Sequence, residues 1–163
     1  MTLLKNFPNG RRQRRASFTD QEIFDEWMIL EGADTSWQNG LPKCPLTLCQ
    51  RDPEIWDEPH EPFNPEKYHP GGVWEIRTLK ANSSGAGNQC IYDADQKLIT
   101  SGDGKGSADR IQAEGAAATI VNFFSDSGHI GHDVSPFDLA YDLDGGGFGS
   151  NVRRYLSVRP LIY

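Results

Sequence analysis

The spacing of apolar residues predicts a helix near the start of the chain. In the segment SFTDQEIFDEWMILEG the apolar residues recur at helical intervals and form one stripe. Thr19 is suited to the N-cap position, and Glu22 three residues later completes a capping box. Gly32 is a typical C′ residue. We therefore predict a helix over residues 19–32, with an apolar face formed by Ile23, Phe24, Trp27, Met28 and Leu30.

Alternating apolar and polar residues in the middle of the chain predict strands. Residues 73–80, VWEIRTLK, alternate with a period of two. Two shorter β-rich stretches, residues 89–92 and 97–100, flank the sequence Asp-Ala-Asp-Gln, which is typical of a hairpin turn. We predict that these three segments form an antiparallel sheet, with residues 155–158 as a further strand.

The remaining pattern predicts helices packed on this sheet. Residues 108–124 and 133–141 have helical spacing, and Pro136 is tolerated in a first helical turn. The fold class is therefore α+β: a small antiparallel sheet, two or three packed helices, and long proline- and glycine-rich loops.

The segment 34–72, which we call the wrap, contains seven prolines. It also contains large aromatic residues that could anchor it, so we predict an ordered cover over the core rather than a linker. These residues are Trp37, Trp56, Phe63 and Tyr68.

The length of 163 residues and the charge distribution predict one domain, residues 19–163, behind a basic arm, residues 1–18. The first 15 residues carry five bases and no acid, whereas the rest carries 11 bases and 23 acids. A basic arm on an acidic body indicates an interaction tail. Its partner would be an acidic protein surface, with nucleic acid as the alternative. The binding residues would be Arg11, Arg12, Arg14 and Arg15.

No apolar run approaches the roughly 20 residues that cross a bilayer. The first residues lack the apolar segment of a secretory signal peptide. We therefore expect a protein made in the cytoplasm without such a signal, which leaves the cell in a particle or by a leaderless route.

The three cysteines cannot all pair within the chain. The spacing of Cys44 and Cys49 lacks the second ligand pair of a zinc finger, so no zinc site is predicted. A disulfide from Cys90 to either of them fits the sequence, but three buried thiols in a reducing cytosol is the favoured arrangement.

Several short motifs stand in a fixed order along the chain. They are GAGNQCIYDADQKLITSG with GSADR, then HIGHDVSPF, then RRYLSVRP. This ordered series resembles the AMOP domain family. Upstream, LPKCPLTLCQ, DPEIW and YHPG fit the cysteine- and proline-containing entry of that family, so the resemblance covers residues 34–160. It implies an extracellular, adhesion-associated module of the kind found beside nidogen-like, von Willebrand D and sushi modules.

The chain departs from the family at its cysteines. The family's Gln-Cys-Cys is here Gln89-Cys90-Ile91, and the doublet expected after Asp-Val-x-Pro-Phe is Leu139-Ala140. We therefore predict a cysteine-poor, microbial or phage-borne relative in which apolar packing replaces cystines. Its predicted function is non-catalytic binding or assembly, as a component or cargo of a larger extracellular or injection-type particle.

A small toxic effector with cysteine–histidine hydrolase activity is the alternative function. Cys90 would be the nucleophile, His129 or His132 the base, and Asp133 or Asp109 the orienting acid. Against it, Cys90 lies within a predicted strand rather than at a helix N-terminus, where its thiolate would be favoured. An open cleft at Cys90 within reach of either histidine would favour the hydrolase.

No metal or cofactor is predicted. As a metal-binding triad, the sequence His129-x-x-His132-Asp133 lacks a third certain ligand. Asp142 and Asp144, followed by glycines, resemble some calcium loops, but a polar loop is the favoured interpretation. Other histidines and the Asp-Arg pair have simpler roles: His60 and His69 are expected on the surface, and Asp109-Arg110 in an ion pair or helix cap.

Overall fold

A computed structural model of the chain describes residues 18–113 and 128–163. The described residues confirm the α+β fold. Three antiparallel strands lie in the order β1 (Trp74–Arg77), β2 (Gly87–Tyr92) and β3 (Ala108–Asp109). The helices are α1 (Asp20–Gly32), α2 (Pro65–Tyr68), α3 (Ser135–Leu143) and α4 (Ser150–Val158). Short 3₁₀ turns cover Ser36–Gln38 and Leu48–Gln50, and a π-helical turn, Ile130–Val134, leads into α3.

The predicted capping box at the start of α1 is confirmed. The Glu22 backbone N–H donates to Thr19 Oγ1 at 3.2 Å, and the Thr19 backbone N–H donates to Glu22 Oε2 at 2.8 Å. The predicted role of Gly32 is wrong. Gly32 is the last helical residue, and the C-cap is Ala33 in a right-handed conformation, so this helix end needs no left-handed glycine.

We expect Thr19→Ala to lower the free energy of unfolding by about 1 kcal/mol, because the first turn of α1 loses a side-chain acceptor. Urea denaturation followed by tryptophan fluorescence measures the change. Ser17→Ala, two residues upstream, is the comparison variant. A larger loss from Ser17→Ala would move the functional start of the helix upstream of Thr19.

The predicted strand 97–100 is wrong, although the turn before it is confirmed. Asp93 Oδ1 accepts a hydrogen bond from the Lys97 backbone N–H at 2.9 Å and closes the turn. Lys97 and Leu98 then form only isolated bridges. The reason is competition from the wrap, because the Leu98 N–H donates to the carbonyl of Leu46 at 3.0 Å. Hydrogen bonding to the wrap thus replaces the continuous ladder that a strand at residues 97–100 would form.

The predicted strand 155–158 is also wrong, since these residues belong to α4. The Asp144 carboxylate starts this helix by accepting from the N–H groups of Asn151 and Val152 at 3.1 and 2.9 Å. Val152 and Tyr155, three residues apart, form the buried face.

The outcome for the other two predicted helices differs. The helix at 133–141 is confirmed as α3, with Pro136 in its first turn. The helix predicted over residues 108–124 does not begin at Ala108, which lies in β3. Its residues from 114 onward lie outside the described part of the chain.

The wrap covers the free edge of β1. The backbone groups of His60 and Glu75 exchange two hydrogen bonds of 3.1 and 2.8 Å, and the Leu79 N–H donates to Ile55. Covering an edge strand prevents it from pairing with another chain. Trp37 and Trp56 are buried as predicted anchors. Phe63 is not an anchor, because 79% of it is exposed.

The two larger apolar clusters of the described residues join different layers of the fold. One joins the wrap to β1 and β2 around a disulfide between Cys44 and Cys90. The other joins α1, α3 and α4 through Phe24, Trp27 and Phe137, with further helix residues packed around them. Among the described residues, no helix has the length and apolar character needed to cross a membrane.

Candidate functional site

A network of charged side chains lies between the sheet and the helices. Four carboxylates, three arginines and one histidine contact one another there, and most of them are buried. We call this set the charge network: Glu31, Glu75, Arg77, Asp109, Arg110, His129, Asp133 and Arg159. It draws on α1, the sheet, the π-helical turn and the residue after α4, so it forms only when these elements have packed.

Arg159 is the centre of the network and has no exposed surface. Its Nη1 lies 2.6 Å from Glu31 Oε1, and its Nε lies 2.7 Å from Asp133 Oδ1. The guanidinium also lies 5.4 and 5.1 Å from the ring centroids of Trp27 and Trp37. Aromatic faces attract a desolvated guanidinium. Arg159 therefore links α1 and the π-helical turn through both ion pairs and ring contacts.

Asp133 ties the loop after β3 to the π-helical turn. Its carboxylate accepts hydrogen bonds from the backbone N–H groups of Arg110 and Ile111 at 2.9 and 3.1 Å. Burial raises the pKa of Asp133, but Arg159 and His129 outweigh burial and lower it to about 2. The carboxylate therefore stays ionised at neutral pH.

Two further ion-paired arginines extend the network. Arg77 donates to Asp109 Oδ2 at 2.8 Å and to the carboxylate of Glu75. Arg110 donates to Glu31 at 2.8 Å. The predicted ion pair at Asp109-Arg110 therefore exists, but each residue pairs with a different partner rather than with its neighbour.

His129 completes the balance of charge. Its Nδ1 lies 3.4 Å from Asp133 Oδ2 and 3.8 Å from Asp109 Oδ2. Burial lowers the pKa of His129, but the two carboxylates outweigh burial and raise it above its usual value. Among the described residues, protonated His129 is the fourth cation against four carboxylates, so these eight side chains together are neutral in that state.

We expect the stabilising effect of His129 to depend on pH. A histidine whose folded-state pKa is raised stabilises the fold fully below about pH 6.5 and loses this contribution as pH rises through the folded-state pKa. The stability difference between wild type and His129→Gln should therefore be larger near pH 6 than near pH 9.

Urea denaturation of both proteins at the two pH values measures this difference. Other titrating groups such as His60 are present in both proteins, so their effects largely cancel. A difference that grows with pH would show that His129 is neutral in the folded state.

The same cluster contains a group with metal-like spacing. Ligand atoms of Asp109, His129 and Asp133 all lie within 4.8 Å of one another. However, the carboxylate of Asp133 is already in an ion pair with Arg159, and the carboxylate of Asp109 is in an ion pair with Arg77. Two guanidinium groups against the same carboxylates would repel a metal ion, so the geometry fits an ion-pair network better than a metal centre.

Cys90 would be the nucleophile of the alternative hydrolase. It lies in the apolar cluster between the wrap and the sheet, whereas His129 lies beside Asp109 and Asp133 in the charge network. Cys90 is bonded to Cys44 and has no exposed surface, and it belongs to the cluster between wrap and sheet. The expected set of three buried thiols is therefore wrong, because Cys49 is a free and exposed thiol. The sequence did not decide between Cys44 and Cys49 as partner. The fold does, since the Cα atoms of Cys44 and Cys90 are 5.7 Å apart.

The other predicted site residues are dispersed. Asp144 caps α4, while Asp142, two residues earlier and still in α3, is exposed. His60 is largely exposed as expected, but the expectation for His69 is wrong. His69 is buried beside the carbonyl of Lys105, and burial lowers its pKa to about 4. The four arm arginines lie outside the described residues.

Five of the eight residues of the charge network lie in the ordered motifs of the sequence. Asp109-Arg110, Asp133 and Arg159-Pro160 each come from one of those motifs. Residues 19–160 match the family model of the AMOP domain. The chain belongs to the AMOP domain family. No curated protein and no solved structure matches the chain significantly.

Membership in the AMOP family makes this an adhesion-related, non-catalytic module that acts through protein interactions. The structure explains why the family motifs are spaced as they are here. The Asp-Arg loop, the Asp-Val-x-Pro-Phe segment and the closing Arg-Pro meet in the charge network, and Phe137 packs among the helices. These motifs build the AMOP scaffold.

Sequence reasoning missed Glu31, Glu75 and Arg77 as members of the network. A signal for Glu31 was present, because it follows Trp27 by four residues and therefore lies on the apolar face of α1. An acid on that face predicts a buried cation partner. Nothing in the sequence identified Arg159 as that partner.

Proposed function

We propose that this AMOP domain is a non-catalytic binding module that joins a larger assembly. The observation that carries the proposal is that the candidate catalytic groups are already bonded or ion-paired. Cys90 is in a disulfide, and Asp109, Asp133 and His129 face arginines or one another in a buried network. Groups engaged in this way hold a scaffold and leave binding to the outer surface.

The assembly we propose is an extracellular or injection-type particle, of which the chain is a small component or cargo. The disulfide supports a working place outside the reducing cytosol, where such bonds persist. The small number of cysteines supports a microbial or phage-borne origin. In this proposal the chain is made in the cytoplasm, released with the particle, and oxidised afterwards.

The contact to the assembly is the basic arm. Its four clustered arginines would require four buried partners to lie in a core, so they face water or an acidic surface. An acidic protein surface is the proposed partner, and nucleic acid is a test outcome. Attraction between exposed charges falls with ionic strength, so the contact should weaken in salt.

The test compares the intact chain with an arm variant in the producing cell. In the variant R11Q/R12Q/R14Q/R15Q the positive charge is removed while the side chains remain polar. We expect its melting temperature to match wild type and its co-purifying proteins, counted by mass spectrometry, to fall at least tenfold. The control is K80Q/K97Q, two exposed lysines of the domain itself.

Three outcomes would overturn parts of the proposal. Unchanged partners in the arm variant would exclude the arm as the contact. Partners lost on nuclease treatment would assign it to nucleic acid. Turnover of peptide or ester substrates by the oxidised protein would contradict a non-catalytic module.

A further inference from the structure

One part of the wrap presents exposed acids and exposed apolar residues on the same segment. Residues 52–66, which we call the acidic strip, contain five exposed acids. Among the residues that the structure describes, Glu58 alone of these five is in an ion pair, with Arg51 at 2.8 Å. The exposed acids of the strip are Asp52, Glu54, Glu58, Glu61 and Glu66.

Apolar side chains accompany these acids. Half of the large exposed hydrophobic residues of the described chain lie on the strip, on β1 or next to β1. Phe63 is 79% exposed, and Ile55 and Leu79 are exposed neighbours joined by a backbone hydrogen bond of 2.8 Å. The full set is Ile55, Phe63, Val73, Trp74 and Leu79. Exposed apolar residues among charges are typical of an interaction surface.

The strip is held in a fixed shape. Its backbone pairs with β1 at His60 and Glu75, and the Arg51 guanidinium binds the carbonyls of Trp56 and Asp57 at 3.0 and 2.9 Å. A rigid surface loses little conformational entropy when a partner binds.

The chain's own arm has the complementary pattern. It carries the apolar residues Leu3, Leu4 and Phe7, followed by the four arginines of residues 11–15. Its charge is opposite to that of the strip. We propose that the arm of one copy binds the acidic strip of a second copy. This proposal rests on the proposed function, in which the arm is the docking element, and names its partner surface.

A second copy is favoured over the same copy because of chain length. Arg15 precedes Thr19 by four residues and Arg11 by eight, so they reach at most about 14 and 28 Å from the start of α1. A globular domain of this size is about 40 Å across. The start of α1 packs on α4 through Gln21 and Asn151, whereas the middle of the strip pairs with the edge of the sheet through His60 and Glu75.

Arm and strip are different surfaces, so the contact is heterologous. Each copy offers one arm and one strip, and such contacts generate rings or open chains rather than closed twofold dimers. Contacts of this kind would let further copies of the chain add to the particle of the proposed function.

The test uses two variants of the full chain and light scattering with size-exclusion chromatography. The arm variant is R11Q/R12Q/R14Q/R15Q, and the strip variant is E54Q/E61Q/E66Q, which touches no ion pair in the described residues. The control, E26Q/D95N/D142N, removes the same charge from exposed positions elsewhere. A melting curve for each variant verifies its fold.

We expect the mean mass of wild type and control to rise with protein concentration in low salt and to return to monomer in about 0.5 M salt. Each of the two interface variants alone should remain monomeric. An equimolar mixture of them should form a one-to-one dimer and nothing larger, since only one arm and one strip are functional.

A wild type that is monomeric at every concentration would overturn the inference, as would a mixture that stays monomeric or a strip variant that still associates. These results leave the proposed function standing if the arm variant still loses its partners in the cell. Partners kept by the arm variant would instead refute the proposed function, whatever the purified chain does.

Discussion

Replacing Arg159 with methionine should lower the free energy of unfolding by about 3–5 kcal/mol, a large part of the stability of an ordinary domain. The substitution keeps much of the side-chain volume but removes the charge. Glu31 and Asp133 would then lie buried without their shared partner. An uncompensated buried charge costs far more than the loss of an exposed ion pair. Urea denaturation measures the change, and emission from Trp27 and Trp37 reports on this region directly.

Arg154→Met is the matched control for this prediction. Arg154 also pairs with a carboxylate, Asp25 at 2.7 Å, but both side chains are more than 40% exposed. Its loss should cost less than about 1 kcal/mol. Adding Glu31→Gln and Asp133→Asn to Arg159→Met should recover part of the stability. Equal effects at Arg154 and Arg159 would show that the charge network is not what holds the helices to the loops.

The second large effect is expected from the disulfide. The double variant Cys44→Ala/Cys90→Ala should lose about 4 kcal/mol, because the bond closes a loop between residues 46 positions apart. Cys49→Ser is the control and should leave stability within about 0.5 kcal/mol of wild type, since Cys49 is free and exposed. Thermal unfolding with and without reductant measures both.

Iodoacetamide labelling gives an independent check of the pairing. The native protein should be alkylated at Cys49 alone, and the reduced, unfolded protein at all three cysteines. Rapid alkylation of Cys90 in the folded protein would contradict the disulfide and return this residue to consideration as a nucleophile.

The features that the sequence predicts well are local ones. The capping box of α1 depends on Thr19 and Glu22, three residues apart, and the turn at Asp93 depends on its own side chain. The strand prediction at residues 155–158 failed because the deciding group, Asp144, lies in the preceding glycine-rich loop. Val152 and Tyr155 fit either a helix face or a strand until that cap is recognised.

The candidate site is less predictable than the fold because its pairs are distant in sequence. The paired charges lie in three separate motifs: Asp109 and Arg110 in the first, Asp133 in the second and Arg159 in the third. Nothing within one motif indicates which charged residue of another motif it contacts. The family resemblance gave their order but not their contacts. The same holds for Cys90, whose partner was decided by the path of the wrap across β2.

The position of Arg159 has a consequence for the order of folding. It meets Glu31 across 128 residues and lies beside Pro160, whose carbonyl receives the N–H of Ala108. During synthesis, Glu31, Asp133 and the two tryptophan faces lack the guanidinium of Arg159 until the 128 residues that follow Glu31 have been added. Contacts of such long separation slow folding and leave apolar surface open meanwhile. The nascent domain should therefore remain incompletely folded until Arg159 has left the ribosome, and it should depend on chaperones or on rapid capture by its partner during that interval.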